Sequence, residues 1–273
     1  MEETAINNIE IYNTRMDKSI DDKLWFLRQE MKDVGVFIDF GCANGNMLRH
    51  MYYQDPSKVY IGYDNNPEML SIAKEYCKDT SVKFINNFDY IRKFINQACP
   101  EKKVCLILSS VLHEVYSYSK DENEISSFWK GIKEDLYPDY IAIRDMTWGV
   151  NYEVYTPREE QLKHLECCYK VTKFADQNQI NDFEKVIGRK VTSSPKDITH
   201  FLLKYKYVEN WDREVQENYL SYEVDDIISI LCDKYKITHN KKYCLPYFYE
   251  QFIIDFGIYF MGNTHYNLLL KRL

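Results

Sequence analysis

The first half of the chain alternates between short apolar runs and segments with helical spacing. Each apolar run has the length of a buried strand and ends in polar or turn-forming residues. The predicted strands are residues 36–40, 59–63, 82–89 with a terminal loop, 103–110 and 140–146. The predicted helices are residues 46–50, 68–78, 91–99 and 121–136. Strands that alternate with helices in this way predict an α/β fold with a parallel sheet.

The pattern changes at both ends of the chain. An amphipathic helix is predicted over residues 23–32, with Ser19 or Asp21 as its cap, after a mixed lead-in at residues 6–16. After Thr147 the alternation stops, and helical patterns follow at residues 157–170, 180–187 and 197–219. A helix at residues 221–235 and strands at residues 236–243 and 264–271 then return to the earlier pattern.

The turn after the first strand is the main candidate for a ligand site. Gly41 and Gly45 can take positive φ angles and let a ligand approach without meeting a Cβ atom. The helix that follows offers unpaired N–H groups at its start. The second strand ends at Asp64, about 20 residues further on, where an acid accepts hydrogen bonds from ribose hydroxyls. A plain structural turn is the alternative interpretation.

Residues 39–45 and 63–70 resemble two motifs of the class I S-adenosylmethionine-dependent methyltransferases. The usual first motif is acid-x-Gly-x-Gly-x-Gly, and here Ala43 replaces the middle glycine, which adds one methyl group. The resemblance implies a doubly wound, seven-stranded, mostly parallel Rossmann-like sheet with an antiparallel seventh strand. It also implies that S-adenosylmethionine is the cofactor. A dinucleotide is disfavoured, because the Gly-x-Gly-x-x-Gly pattern that suits a pyrophosphate does not occur.

The resemblance divides the chain into three parts. Residues 1–150 would form the cofactor-binding core with its helical lead-in, residues 151–220 a helical insert over the active site, and residues 221–273 the completion of the core. The insert is rich in aromatic and basic side chains, which either contact the methyl acceptor or pack as an amphipathic cap. The aromatic loop at residues 245–263 is expected to fold as a short helix, because long structureless loops are uncommon. It would pack against the cap or a second subunit.

The resemblance also implies cofactor-binding residues. The turn would face the methionine part, Asp64 the ribose, and the loop after the third strand the adenine. The set is Asp39, Gly41, Ala43, Gly45, Asp64, Asn65, Phe88, Asp89 and Ser109. Arg15, Lys18 or Lys23 would meet the cofactor carboxylate, or else would belong to a solvated helix face.

Polar residues after the fourth strand are candidates for catalysis, because open α/β sheets place ligands at the carboxyl ends of their strands. His113 is predicted to be a general base, since its ordinary pKa lies near neutrality; the alternative is a packing residue. Asp145 ends the fifth strand and would either orient the substrate or pair with Arg144.

Charge and composition narrow the classes of partner. The net charge of −7 argues against an enzyme that grips long nucleic acids through their phosphates. No apolar run approaches the roughly 20 residues of a membrane span, and the acidic N-terminus does not resemble a secretory signal, so a cytoplasmic location is expected. The eight cysteines lack the paired spacing of a structural zinc site, and no metal is predicted.

The leading prediction is a methyltransferase that acts on an oxygen or nitrogen atom of a small molecule. The chain lacks the Asp/Asn-Pro-Pro-aromatic tetrad of enzymes that methylate base amino groups in DNA, and the Pro-Cys pair needed for pyrimidine C5 methylation. Two alternatives stay open. One is an RNA methyltransferase that reads its substrate with the aromatic insert, and the other is a non-catalytic S-adenosylmethionine-binding partner or sensor.

Overall fold

The structure, a computed structural model, describes residues 19–31, 33–149, 166, 195–207, 210–256 and 262–273. Its centre is a seven-stranded sheet with the order β3-β2-β1-β4-β5-β7-β6. The first five strands are parallel, and β7 runs antiparallel to both β5 and β6. The strands are β1 (Val34–Phe40), β2 (Val59–Tyr63), β3 (Lys83–Ile85), β4 (Lys103–Ser109), β5 (Tyr140–Met146), β6 (Tyr235–Tyr243) and β7 (His265–Arg272). The predicted doubly wound, mostly parallel sheet is confirmed, including its antiparallel seventh strand.

Helices connect the strands along the chain. In the core they are α1 (Ile20–Lys23), α2 (Asn46–Gln54), α3 (Pro67–Tyr76), α4 (Phe88–Ala98), α5 (Leu112–Tyr118), α6 (Glu122–Lys130) and α9 (Val224–Leu231). The helices α7 (Pro195–Lys204), α8 (Trp211–Glu214) and α10 (Pro246–Phe256) lie beside the carboxyl edge of the sheet. In the described part of the chain, no helix is long and apolar enough to cross a bilayer.

Apolar residues are buried on both faces of the sheet, as a doubly wound fold requires. One face packs against α4, α6 and α9 through residues such as Ile91, Trp129 and Ile227. The other packs against the segment that precedes β1 and against α2. β4 and β5 are buried along almost their whole length, which explains why their sequences are nearly continuous apolar runs.

A further apolar cluster, separate from the two faces of the sheet, joins α7, α8 and α10 to the end of β5. Phe201, Tyr205, Trp211 and Phe252 are buried in it, in contact with Met146. These three helices are called the cap below. The prediction that residues 245–263 contain a short helix is confirmed by α10, whose Phe248 and Phe252 are buried in this cluster, whereas its Tyr247 is exposed. The domain limits at residues 150 and 220 stay predictions.

The prediction of one long helix over residues 197–219 is wrong. Helix α7 ends at Lys204, whose side chain is fully buried. Its ammonium group donates hydrogen bonds to the backbone carbonyls of Glu214 and Glu217. The segment after α7 therefore turns back over the lysine instead of continuing the helix.

Three other elements differ from the sequence-based prediction. Before β1, α1 is followed by a 3₁₀ turn over Leu24–Arg28, because the three consecutive apolar residues 24–26 are all buried and one stripe of an α-helix does not allow this. Helix α4 begins at Phe88, because Oδ1 of Asn87 accepts the N–H of Tyr90 as a cap. Helix α5 was not predicted. Residues 6–16, 157–170 apart from residue 166, and 180–187, with Arg15 and Lys18, lie outside the described residues.

Candidate functional site

The turn after β1 adopts the backbone angles that favour glycine. Gly41 and Gly45 have φ angles of 77° and 75°. A Cβ atom at Gly41 would lie 2.7 Å from Cγ2 of Val111, and one at Gly45 would lie 2.7 Å from Cζ of Phe84. Both glycines are therefore required by the shape of the turn and by the side chains packed against it.

Asp64, at the end of β2, is bonded directly to this turn. Its Oδ2 accepts the backbone N–H of Ala43 at 2.9 Å, and its Oδ1 accepts the N–H of Asn66 at 2.9 Å. Ala43 has a φ angle of 46°, an unfavourable value for a residue with a Cβ atom, so the bond from Asp64 stabilises a strained residue. Burial raises the pKa of Asp64, and these backbone hydrogen bonds oppose the rise. The predicted pairing of glycine turn and acid on neighbouring strands is present, and the acid also fixes the turn.

A small cavity of about 30 Å³, called the turn cavity, lies at this end of the sheet. The structure brings four predicted residues together in its wall: Asp39, Gly41, Ala43 and Ser109. The hydroxyl of Ser109 is buried and has no hydrogen-bond partner among the described residues. Burial raises the pKa of Asp39 to about 7, while the nearby ammonium group of Lys23 opposes that rise. Lys23 is itself buried and lines the same cavity.

The remaining predicted cofactor residues do not line the turn cavity. Asn65 is exposed beside Asp64. Phe88 packs edge-on against Phe40 and Tyr63, with ring centroids 5.6 and 5.7 Å apart. Asp89 is exposed in the first turn of α4. The predicted adenine residues lie at the start of α4, which follows β3.

A larger cavity of about 270 Å³, called the cap cavity, lies between the carboxyl ends of β4 and β5 and the cap. One part of its wall is apolar and includes Met146, Leu203, Leu245 and Phe248. The rest is polar or charged: Ser19, Lys23, Ser110, His113, Glu114, Arg144, Lys206, Tyr207, Arg213, Glu214, Glu217, Tyr219, Tyr247, Gln251 and His265. Lys23 lines both cavities, so the two are neighbours along one edge of the sheet.

His113 is held in the wall of the cap cavity by Asp145. Its Nδ1 lies 2.9 Å from Oδ1 of Asp145, and its backbone N–H donates to Oδ2 of the same carboxylate at 3.1 Å. Burial alone would lower the pKa of His113, but Asp145, with Glu114 and Glu217, raises it to about 9. The imidazole is therefore charged at neutral pH. This state differs from the predicted general base, which must be neutral before it takes a proton.

Two carboxylates beside His113 are paired with one arginine of the cap. Arg213 donates from Nη2 to Glu114 at 3.2 Å and from Nε to Glu217 at 2.7 Å. The hydroxyl of Tyr118 also donates to Glu217, at 2.9 Å. Single ligand atoms of His113, Glu114 and Glu217 lie within 4.8 Å of one another, a grouping that metal ions use. Arg213 already supplies a positive charge to the two carboxylates at that point. The absence of a bound metal remains a prediction from the sequence.

Arg144 connects the cap cavity to the helix that precedes the sheet. Its Nε donates to Oδ2 of Asp22 at 2.5 Å, and its Nη1 donates to Oγ of Ser110 at 2.8 Å. The hydroxyl of Tyr243 donates to the same aspartate at 2.8 Å. The sequence suggested Asp145 as the partner of Arg144, but the two side chains separate, one toward Asp22 and the other toward His113.

Sequence reasoning missed several residues of the cap cavity. Glu217 and His265 were not singled out, and Arg213 was considered only as a contact for the acceptor. For Asp145 a signal existed, because an acid at the carboxyl end of β5 lies beside the strand that leads to His113. For the residues of α8 and the start of β7 no such signal exists, since nothing in the sequence shows which loops meet.

Comparison with known proteins places the chain in a family. Residues 12–147 match a family model described as a methyltransferase domain. No match was found among curated protein sequences.

Three solved structures share the fold at low sequence identity. A SAM-dependent methyltransferase from Anabaena variabilis ATCC 29413 has a TM-score of 0.51 and 12% identity, with 100% of this chain and 98% of that chain covered. TnmH has a TM-score of 0.51 and 10% identity, with 97% and 57% covered. The pyocyanin biosynthetic protein PhzM has a TM-score of 0.50 and 10% identity, with 96% and 57% covered. This chain therefore spans little more than half the length of the last two.

The sheet order and the glycine turn bonded to a strand-end acid define a Rossmann-like nucleotide-binding fold. Together with the matched domain, they show that the chain belongs to the class I S-adenosylmethionine-dependent methyltransferases, and S-adenosylmethionine is its cofactor. The polar groups of the turn cavity are of the chemical kind that the amino-acid end of that molecule needs. Asp39 can accept from its ammonium group, Lys23 can meet its carboxylate, and the hydroxyl of Ser109 still needs a partner.

Proposed function

We propose that the enzyme methylates an oxygen or nitrogen atom of a small molecule held in the cap cavity. The observation that carries this proposal is the position of that cavity, which adjoins the turn cavity through the shared wall at Lys23. Its volume of about 270 Å³ lies just below the range of about 300–1,000 Å³ that is usual for drug-sized ligands. A compact acceptor of one or two rings suits this size.

S-adenosylmethionine, when bound, supplies a methyl group made electrophilic by its sulfonium. The protein then has to hold donor and acceptor in line and exclude water. For the donor, we propose the predicted set, with Asp39, Ser109 and the turn at the methionine end. The ribose would be bound by Asp64 and Asn65. The adenine would be contacted by Phe88 and Asp89.

For the acceptor, we propose that His113 touches the reacting group. Because Asp145 keeps its imidazole charged, His113 would donate a hydrogen bond to an acceptor oxygen or hold an anionic group of the acceptor. The apolar wall around Leu245 and Phe248 would contact the rest of the molecule. An acceptor with a polar end and a flat apolar body matches both walls.

The test has two steps. Calorimetry with S-adenosylmethionine first measures binding to the wild type and to Ser109→Ala, which is expected to weaken binding by about 1 kcal/mol through loss of one hydrogen bond. The enzyme is then incubated with the methyl-radiolabelled cofactor and cell extract that has been separated into small molecules, protein and RNA. Label in the small-molecule fraction supports the proposal.

Label in RNA, together with salt-sensitive RNA binding, would favour the alternative in which the cap reads RNA. Cofactor binding without transfer to any fraction would favour a non-catalytic partner or sensor. A cytoplasmic location, and self-association through the aromatic segment at residues 245–263, remain predictions from the sequence.

A further inference from the structure

The cap cavity contains a second buried histidine, His265, at the start of β7. In the sheet, Asp145 lies opposite Tyr266, and Met146 lies opposite His265. Neighbouring residues of a strand point to opposite faces, so His265 and the pair of His113 with Asp145 come from the two faces of the sheet. They meet in the wall of one cavity at its carboxyl edge.

The hydroxyl of Thr264 contacts one ring nitrogen of His265 and therefore bears on where the ring proton sits. Oγ1 of Thr264 accepts the backbone N–H of Leu245 at 2.9 Å and lies 2.9 Å from Nδ1 of His265. Burial raises the pKa of the Cys244 thiol to about 11, and a hydrogen bond with the Thr264 side chain opposes that rise. If the single proton of the Thr264 hydroxyl is directed to Cys244, then Nδ1 of His265 is the donor to Thr264 and Nε2 keeps its lone pair.

The charges around His265 keep the ring neutral. Burial lowers its pKa well below the ordinary value, and the positive charges of Arg144 and His113 lower it further. The other ionisable groups near it do not reverse this effect. The carboxylate of Asp22 is hydrogen-bonded to Arg144, and that of Asp145 to His113. The rings of Tyr243 and Phe248 pack on the His265 ring, with centroid distances of 6.0 and 5.9 Å. The cavity therefore holds one charged and one neutral imidazole.

We propose that His265 is the group that accepts the proton released by the methyl acceptor, an assignment that rests on the proposed function of the cap cavity. As the methyl group is transferred, the O–H or N–H bond of the acceptor breaks and its electron pair forms the bond to the methyl carbon. The bond between that carbon and sulfur breaks, and sulfur keeps the electron pair. The released proton binds Nε2 of His265 and later passes to water. His113 stays charged throughout and positions the acceptor.

The first experiment measures the charge and tautomer of His265 without cofactor or acceptor. The protein is labelled with ¹⁵N-histidine, and its imidazole resonances are recorded between pH 6 and pH 8, with His265→Gln and His113→Gln used for assignment. We expect His265 to be neutral with its proton on Nδ1 over this range, and His113 to carry protons on both nitrogens at pH 7. A charged His265 at pH 7, or one with its proton on Nε2, would overturn the proposal.

A pair of matched variants tests the origin of the tautomer. Thr264→Ser keeps the hydroxyl and is expected to leave the His265 resonances unchanged, whereas Thr264→Val removes it and should populate the other tautomer. If His265 keeps the Nδ1 proton equally in both variants, the role assigned to Thr264 is wrong. Circular dichroism checks that each variant is folded.

The second experiment uses the acceptor fraction that becomes labelled. His265→Gln should lower kcat/KM by about 100-fold or more at pH 7, the lower range of general-base contributions. The loss should shrink as the pH rises and the acceptor ionises without help. A pH profile of His265→Gln that runs parallel to that of the wild type would contradict the proposal. The ¹⁵N-histidine spectra can be interpreted even if no fraction is labelled. Failure of the proposed role of His265 can therefore be distinguished from failure of the proposed function.

Discussion

The two cavities share one edge of the sheet but are built in different ways. The turn cavity is formed mainly by backbone: a short turn with positive φ angles, fixed by the acid at the end of the next strand. The cap cavity is formed by side chains from distant segments, and its polar wall is held by pairs of opposite charge. Arg144 pairs with Asp22 across 122 residues, and Arg213 with Glu114 across 99 residues. The turn cavity depends on local backbone geometry. The cap cavity depends on ion pairs between residues that are far apart in the sequence.

The largest expected effect comes from the buried pair in the cap cavity. Asp145→Ala leaves a buried imidazole without its partner and should lower the free energy of unfolding by about 3–5 kcal/mol. Urea denaturation at pH 7 measures it.

The double variant His113→Gln, Asp145→Asn removes both charges and should be less destabilised than Asp145→Ala. If the double variant loses at least as much stability as the single variant, the two side chains do not act as a pair.

In the turn cavity, the corresponding change acts on the backbone. Gly41→Val places a branched side chain at a φ angle of 77° and close to Val111. From strain and overpacking we expect a loss of about 3 kcal/mol in unfolding free energy, and weaker binding of S-adenosylmethionine.

Gly131→Ala is the matched control, since no atom beyond its chain neighbours and its own helix backbone lies within 4 Å of its Cβ position, and its φ angle of −55° is helical. Thermal denaturation should show no loss for this variant. Equal losses in the two glycine variants would mean that the turn has no special requirement.

Asp64→Ala removes the turn-fixing contact and the proposed ribose contact of that acid together. Removing its carboxylate leaves the N–H of Ala43 without its partner and should weaken cofactor binding by roughly 1–3 kcal/mol in calorimetry. The exposed Asp225→Ala is the control and should change stability by no more than about 0.5 kcal/mol. Unchanged affinity for Asp64→Ala would remove this residue from the cofactor site.

A smaller effect is expected in the pH dependence of stability. The pKa of His113 is about 9 in the folded protein and near the ordinary value of 6.5 when the chain is unfolded. The folded state thus binds the proton more tightly, and this contribution is fully present below pH 6.5 and lost as the pH rises through 9. Urea denaturation between pH 6 and pH 10 should show a loss of stability in the wild type that is smaller in His113→Gln. Parallel curves for the two proteins would show that His113 does not titrate in this way.

The contrast between the cavities also explains what could be predicted from the sequence. The strands and the glycine turn were predictable, because apolar runs and a Gly-bearing turn are local signals. The seven-stranded, mostly parallel sheet followed only from the resemblance to the methyltransferases. Asp64 was found by its spacing from the turn. The bend after Lys204 was missed, because it depends on the burial of one ammonium group against two distant carbonyls. His265 was missed for a similar reason, since a histidine at a strand start carries no sign of the residues it will meet.

The shared residue Lys23 has a consequence for both cavities. It belongs to α1, a single turn of helix that Asp22 fastens to Arg144, and it forms part of both compartments. Because Lys23 contributes to both walls, a displacement of this turn would change the donor and acceptor compartments at the same time.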